Sequence, residues 1–367
     1  KMCGGCAQPV GSEVLEELLS LANPEDVPGE RPEDVSGDSD GIGRDYMDYA
    51  RRHVGLPDDV AGMDVVVDPG NGVGSVLWER IVESAGLEPR RMNFEPDGSF
   101  PAHLPDTSDP ENLEPLREAV ADSAARLGLA YDGDADRVAV VRGDGAIMPA
   151  DEVAVAVGER VLDDRGGGRM ALSMAASRNV LDALRERGRS PVLVPVGHSK
   201  VKSALRRNPG IAFAAESSGH FYYRHFSCCD SSLLTTLHLL GLAAEEELAA
   251  VSRRLRRGWR SPRSQPSFHY SDPDEAQRAC QRASHAMLSR CPDWQEIMCE
   301  CRGGIHRSCN PADIDAAEGV RVDYEDWWFC VRPSGTEPKA RLMLESRDPG
   351  KMREKLDELR ELFERGA

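Results

Sequence analysis

Three carboxylates stand at alternate positions in Asp132-Gly133-Asp134-Ala135-Asp136-Arg137. On a tight loop that spacing lets them converge on one hard divalent cation, while the adjoining guanidinium offsets their repulsion or holds a phosphate. No glycine and glutamate follow at the positions an EF-hand requires. The choice lies between a metal loop and a plain polar turn, and the spacing favours the metal loop. Arg332-Pro333-Ser334-Gly335-Thr336-Glu337-Pro338 joins a guanidinium, two hydroxyls and a glycine beside which backbone N–H groups can approach an oxyanion, as a phosphate cradle requires. A structural turn would account for the Ser-Gly and the prolines but not for Arg332. In Glu216-Ser217-Ser218-Gly219-His220, Glu216 and Ser218 suit vicinal sugar hydroxyls. His220 suits an acid/base or phosphate contact, or a purely structural place. Gly197-His198-Ser199-Lys200 offers a second anion position where a helix begins, or an N-capping Ser199 beside an exposed Lys200.

Other motifs carry less. Gly70-Asn71-Gly72-Val73-Gly74-Ser75 departs from the G-x-G-x-x-G spacing, which argues against a nicotinamide cofactor. Cys3 and Cys6 form a lone pair read as bystanders. Cys299, Cys301, His306 and Cys309 fit no common zinc-finger spacing and fall in a polar stretch read as a loop.

The elements that must position these residues follow from apolar periodicity. Short helices are expected at Glu13–Leu21 and Asp45–His53, with a Pro/Glu/Asp/Gly-rich loop over Asn23–Asp40. Strands are expected at Met63–Asp68, Leu127–Tyr131, Met170–Met174, Val192–Val196 and Ile211–Ala214. Helices are expected at Ser75–Ala85, Asp151–Leu162, Asn179–Arg187 and Lys200–Arg207, and a hairpin turns at Gly143-Asp144-Gly145. This alternation is the signature of α/β layers, with three of the chemical motifs at the C-terminal ends of strands, where such sheets bind ligands. A helix over Glu245–Leu255 leads to an Arg/Pro/Ser-rich linker, Arg256–Pro266. An α+β module completes the chain: a helix over Asp274–Arg290, strands around Gly319–Tyr324, Trp327–Val331 and Ala340–Glu345, and a helix over Pro349–Arg365.

With 367 residues and a net charge of −18, the chain has the mass of several domains and a field that repels polyanions, so nucleic acid is not an expected partner. No apolar run reaches the roughly 18 residues of a membrane span, and Lys1–Ser12 reads without the n-region, apolar h-region or cleavage site of a signal peptide; a soluble, cytoplasmic protein without membrane partners is the expectation. The ten cysteines are too sparse for a disulfide scaffold.

Taken together and in order, Asp-Gly-Asp-Ala-Asp-Arg, Gly-His-Ser-Lys, Glu-Ser-Ser-Gly-His and Arg-Pro-Ser-Gly-Thr-Glu-Pro resemble the α-D-phosphohexomutases. The match extends to Asp68-Pro69-Gly70-Asn71-Gly72 and to Gly319-Val320-Arg321-Val322-Asp323-Tyr324. The continuation into Phe221-Tyr222-Tyr223-Arg224 resembles the phosphomannomutase/phosphoglucomutase branch more than the phosphoglucosamine mutases. The resemblance implies an α/β protein of tandem, related three-layer α/β domains plus a C-terminal α+β domain around a central cleft. The expected segments are a remnant of domain 1 with a linker at 1–40, domain 2 at 41–147, domain 3 at 148–258 and domain 4 at 264–367. It also implies that Asp132, Asp134 and Asp136 bind Mg²⁺ and that Arg137 and His220 serve catalysis. His198, Glu216, Ser218, Arg332, Ser334, Gly335 and Thr336 would bind substrate. Hexose phosphates and a hexose 1,6-bisphosphate would be the ligands, interconverted through a phosphoserine.

The loop that carries that phosphoserine is absent from the 367 residues, and Lys1 with Met2 looks like its end, which would give Lys1 a catalytic place. The chain therefore reads as cut and by itself inactive. A nucleophile-free paralogue that binds sugar phosphates as a sensor or regulator is the alternative. Ala215 stands where the family usually has a glycine, and Ala175 where some bacterial relatives have a cleft lysine.

Overall fold

In chain order the elements of the computed structural model are α1 (Ser12–Leu21), α2 (Ser39–His53), β1 (Val65–Asp68), α3 (Gly74–Ala85), β2 (Arg90–Arg91), α4 (Glu114–Ala121), β3 (Leu127–Tyr131), β4 (Val138–Arg142), β5 (Ile147–Met148) and α5 (Ala150–Asp164). Next come β6 (Arg169–Ser173), α6 (Arg178–Glu186), β7 (Val192–Val194), α7 (His198–Arg207), β8 (Ile211–Ala215), β9 (Phe221–Tyr223), β10 (Cys229–Asp230), α8 (Ser232–Glu245) and α9 (Leu248–Leu255). The last are β11 (Ser267–His269), α10 (Pro273–Arg290), β12 (Glu296–Cys301), β13 (Gly304–Arg307), β14 (Val320–Asp323), β15 (Trp327–Pro333), β16 (Lys339–Ser346) and α11 (Pro349–Glu364). The structure describes residues 8, 10, 12–21, 39–56, 58–262, 265–301, 304–307, 319–334 and 337–364. Lys1, Cys3, Cys6, Cys309, Gly335 and Thr336 lie outside them, as does most of the loop expected over Asn23–Asp40. The chain forms two compact units, residues 1–168 with 201–253 and residues 169–200 with 254–367.

In the first unit one sheet runs β2-β1-β3-β4-β5. Strand β1 pairs in parallel with β2 and β3, and β4 and β5 add antiparallel as the expected hairpin. Every residue of β1 and β3 is buried, as continuous apolar runs covered on both faces should be. Their final residues therefore deliver Asp68 and the Asp132 loop to one end of the sheet. Strands β8, β9 and β10 form an antiparallel ladder in the same unit.

Helix α8 departs from the sequence reading, which began a helix only at Glu245. Ser231 caps it by accepting the Leu234 N–H at 3.0 Å, and Ser232 through Ala243 are all buried. A helix buried around its whole circumference shows no amphipathic period. Its threonines are satisfied by buried tyrosines, Thr236 with Tyr131 at 2.6 Å and Thr235 with Tyr223 at 2.7 Å. Helix α9 follows as a separate element, and α2 starts at Ser39, six residues before the expected Asp45.

In the second unit a six-stranded antiparallel sheet runs β11-β16-β15-β14-β12-β13. Its core joins Ala279, Ala283 and Met287 of α10 and Leu359 and Phe363 of α11 to Val322, Phe329 and Leu344 of the strands. The β12–β13 hairpin replaces the polar loop expected around the cysteines, and Cys299 belongs to that core. Residues 256–262 are not a free linker: Trp259 is buried, and Arg260 exchanges two backbone hydrogen bonds with Ser346 at 2.9 and 3.1 Å.

Strand β6, helix α6 and strand β7 belong to this second unit through a polar network. The Glu345 carboxylate accepts the Ser177 hydroxyl at 2.6 Å, the Arg178 N–H at 3.0 Å and the Trp328 indole N–H at 2.8 Å, so a strand of the C-terminal sheet caps α6. Arg321 on β14 is fully buried and stacks on Trp328, with its guanidinium 3.8 Å from the ring centre. It forks onto Asp323 at 2.7 and 3.0 Å and donates to the carbonyls of Met174 at 2.9 Å and Ala176 at 2.6 Å.

Candidate active site

Strand β3 ends at Tyr131, and the next residues turn through a left-handed Ala135 (φ 55°). The Ala135 N–H bonds the Asp132 carbonyl at 3.0 Å, and the Ser232 hydroxyl at the start of α8 donates to the Ala135 carbonyl. This closure gathers one oxygen from each of Asp132, Asp134 and Asp136 within 4.8 Å of one another. Asp132 is buried, Asp136 partly so, and Asp134 exposed. Arg137 holds Asp132 with its backbone N–H at 2.9 Å and its Nε at 2.6 Å, and lies 3.5 Å from Asp106. Burial raises the Asp132 carboxyl above its usual range and Asp136 adds to the rise, with Arg137 opposing both. Three converging carboxylates with one cation form a hard-oxygen donor set that fits a divalent ion such as Mg²⁺.

The glycine-rich turn after β1 braces this loop. The Val73 N–H bonds the Gly133 carbonyl at 3.1 Å, and a Cβ at Gly72 would lie 2.8 Å from that same oxygen. The motif that faintly resembles a dinucleotide fingerprint is here a close backbone contact between two loops. Gly72→Ala must push the Asp132–Asp136 loop aside, and about 1–3 kcal/mol of destabilisation is expected from such overpacking, with weaker divalent-cation binding; equilibrium denaturation and titration calorimetry measure the two effects.

The Glu216–His220 turn lies against the same loop. It closes on itself, Gly219 N–H to Glu216 carbonyl at 3.0 Å, and the Val138 N–H donates to the Gly219 carbonyl at 3.3 Å. His220 then places Nε2 3.1 Å from Asp136 and Nδ1 2.9 Å from the Ser218 hydroxyl, with Glu216 at 3.9 Å. The buried Glu216 accepts the Tyr222 hydroxyl, and burial followed by the Glu216 charge drives that phenol well above its ordinary pKa. Of the residues singled out in the sequence, the structure brings together Asp132, Asp134, Asp136, Arg137, Glu216, Ser218 and His220.

Sequence reasoning missed two neighbours. Asp230 lies with Asp136 and His220 in one cluster of ligand atoms within 4.8 Å, and it is bound by the buried Lys202 at 2.7 Å. Asp230 followed two cysteines and Lys202 sat in a basic helix, so neither carried a motif of its own.

The other singled-out residues belong to the second unit. Arg332 lies in β15, opposite Arg341 of β16, and the Ser334 N–H bonds the Lys339 carbonyl at 2.7 Å. His198 opens α7 after a left-handed Gly197, so Ser199 falls inside the first turn rather than at the cap.

Sequence profiles of phosphoglucomutase/phosphomannomutase match three consecutive stretches: alpha/beta/alpha domain II at residues 44–145, alpha/beta/alpha domain III at 149–260 and the C-terminal domain at 302–362. A probable phosphoglucosamine mutase of Methanopyrus kandleri is 32% identical over 306 residues, covering 83% of this chain and 62% of that protein. A phosphomannomutase/phosphoglucomutase of Pseudomonas putida is 30% identical over 285 residues, covering 77% and 57%. Among solved structures, a phosphoglucomutase/phosphomannomutase family protein from Burkholderia thailandensis superimposes with a TM-score of 0.70 at 26% identity, covering 89% of this chain and 64% of that one. The chain thus spans about three fifths of the length of these curated relatives.

Proposed function

The chain belongs to the phosphoglucomutase/phosphomannomutase family of α-D-phosphohexomutases, and from that membership we propose that it is the metal- and sugar-phosphate-binding part of an enzyme interconverting hexose 6-phosphates and hexose 1-phosphates. The observation that carries the reading is the convergence of the Asp132–Asp136 loop and the Glu216–His220 turn through the 3.1 Å contact between His220 and Asp136. In the proposed cycle a phosphoserine from outside this sequence passes its phosphoryl group to the sugar, and a mannose or glucose 1,6-bisphosphate turns over and returns one. Asp132, Asp134 and Asp136 would hold Mg²⁺, which when bound neutralises charge on the phosphoryl oxygens. Arg137, fixed by Asp132, would add a second positive charge beside them. Glu216 and Ser218 would orient the sugar hydroxyls. His220, bonded to a carboxylate on one side and a hydroxyl on the other, is set to hold or release a proton at Nε2. Within the other unit Arg332, Ser334, Gly335 and Thr336 would grip a phosphate, with His198 as a further anion contact.

A cytoplasmic setting belongs to the same proposal; among the described residues no helix is long and apolar enough to cross a membrane. The test is titration of the chain with glucose and mannose 1,6-bisphosphates in Mg²⁺, where binding without turnover is expected. Glu216→Gln should weaken it about tenfold to a hundredfold, as loss of charged hydrogen bonds does. No binding of either bisphosphate at any Mg²⁺ concentration refutes the reading. Binding with undiminished affinity in Glu216→Gln refutes the role given to that carboxylate.

A further inference from the structure

His103 is absent from every motif above, yet its ring joins two segments that hold the carboxylate loop. Its Nε2 lies 3.1 Å from the Asp68 carboxylate, and its Nδ1 lies 2.9 Å from the Leu104 carbonyl. Both partners are acceptors without a proton to give, so both ring nitrogens must donate, and an imidazole with two N–H groups is an imidazolium. Asp68 is buried and ends β1. Its other oxygen accepts the Gly70 N–H and the Asn93 side-chain amide, each at 2.9 Å. Asp68 thereby fixes the turn whose Gly72 and Val73 lie against Gly133. On the far side of His103, Pro105 and Phe100 cover Gly133, and Asp106 reaches Arg137 at 3.5 Å. Residues 69–74 and 100–106 thus clasp the Asp132–Arg137 loop, and the His103–Asp68 ion pair ties one to the other.

We propose that His103 is a positioning residue that holds the Asp132–Asp136 loop in its cation-binding shape, and that it does so as an imidazolium paired with Asp68. The proposal rests on the reading of that loop as a divalent-cation site. Among the described residues the charge acting on the ring is that of Asp68. Burial opposes protonation, but the bonds to Leu104 and Asp68 together with the Asp68 charge outweigh it and raise the imidazole above its ordinary pKa. A group raised on folding contributes at pH values below its unfolded pKa and ceases to contribute as the pH climbs through the folded value. The clasp therefore loosens in mildly alkaline solution, opposite to the trend expected of carboxylate ligands alone.

The experiment compares Mg²⁺ affinity of the unaltered chain and His103→Gln by calorimetry from pH 6 to pH 9, together with a pH titration of the His103 Cε1 proton by NMR in the unaltered chain. Gln keeps an N–H donor toward Asp68 without the charge. Mg²⁺ binding should be about tenfold weaker in His103→Gln at pH 6, the low end of what loss of an outer-shell partner of a metal site costs, and the two chains should converge by pH 9. Taking the ratio cancels every titration the two chains share. The Cε1 resonance should titrate above the ordinary histidine value. A ratio that does not change with pH, or a Cε1 proton titrating at or below that value, overturns the strut while leaving the metal reading intact. Failure of the unaltered chain to bind Mg²⁺ overturns both. If His103→Gln does not fold, the NMR titration still decides whether the ring is an imidazolium.

Discussion

Asp134→Ala is expected to abolish the proposed Mg²⁺ binding in calorimetric titration while leaving the melting transition in place. The two halves of that result have separate causes. Asp134 is exposed, so its removal should change stability by no more than about 0.5 kcal/mol, as surface substitutions do. As one of three carboxylates gathered within 4.8 Å, however, it would supply a third of the negative charge this loop offers a cation. Loss of partners that merely orient metal ligands weakens binding about 10- to 100-fold, and loss of a ligand itself should exceed that. Asp132 is a poorer probe, because its removal also strips Arg137 of both its short contacts. An unchanged titration in Asp134→Ala would remove the metal site from the account of this protein.

The largest stability effect is expected far from that loop, at Arg321. Arg321→Met keeps the volume and the contact with Trp328 but leaves Asp323 without its forked partner and the Met174 and Ala176 carbonyls without donors. Breaking a buried ion pair from one side costs about 3–5 kcal/mol, largely because the remaining charge stays buried and uncompensated. Adding Asp323→Asn should recover part of the loss, since two partners removed together leave less charge stranded. Arg178, 3.8 Å from Asp323, limits that recovery by losing a counter-charge of its own. Denaturant unfolding followed by amide exchange in β14 and β15 measures both variants. A single-variant cost below about 1 kcal/mol, within the net worth of one ordinary hydrogen bond, would show that water or a shifted Arg178 takes over the role of Arg321.

How much of this was legible from the sequence depended on whether local pattern and final environment agreed. Leu127–Tyr131 was legible to the residue because an apolar run between polar loops is what a doubly covered strand looks like. The Asp132 loop was legible because its chemistry is contained in six consecutive residues. Helix α8 was missed for a physical reason: buried all round, Ser232–Ala243 offers no alternation between wet and dry faces for a periodicity argument to detect. The β12–β13 hairpin was missed because Cys299, Cys301 and His306 were weighed as ligands before they were weighed as strand residues. The contacts that convert motifs into a site were the least visible. His220 with Asp136, and Lys202 with Asp230, are pairings between distant elements, and no spacing within either element encodes them. Arg321 shows the same limit, since an arginine in a strand reads as solvent-facing until the strand's neighbours are known.

Glu345 carries a consequence for how such a chain can be divided or recombined. A carboxylate from the penultimate element caps a helix that begins at Arg178, and residues 201–253, which belong to the other unit, lie between the two in the sequence. A crossover that exchanged either piece alone would import a helix without its acid or a sheet without its helix. Residues 169–200 and 254–364 are therefore expected to be inherited, swapped and lost together, as one module written in two separate passages.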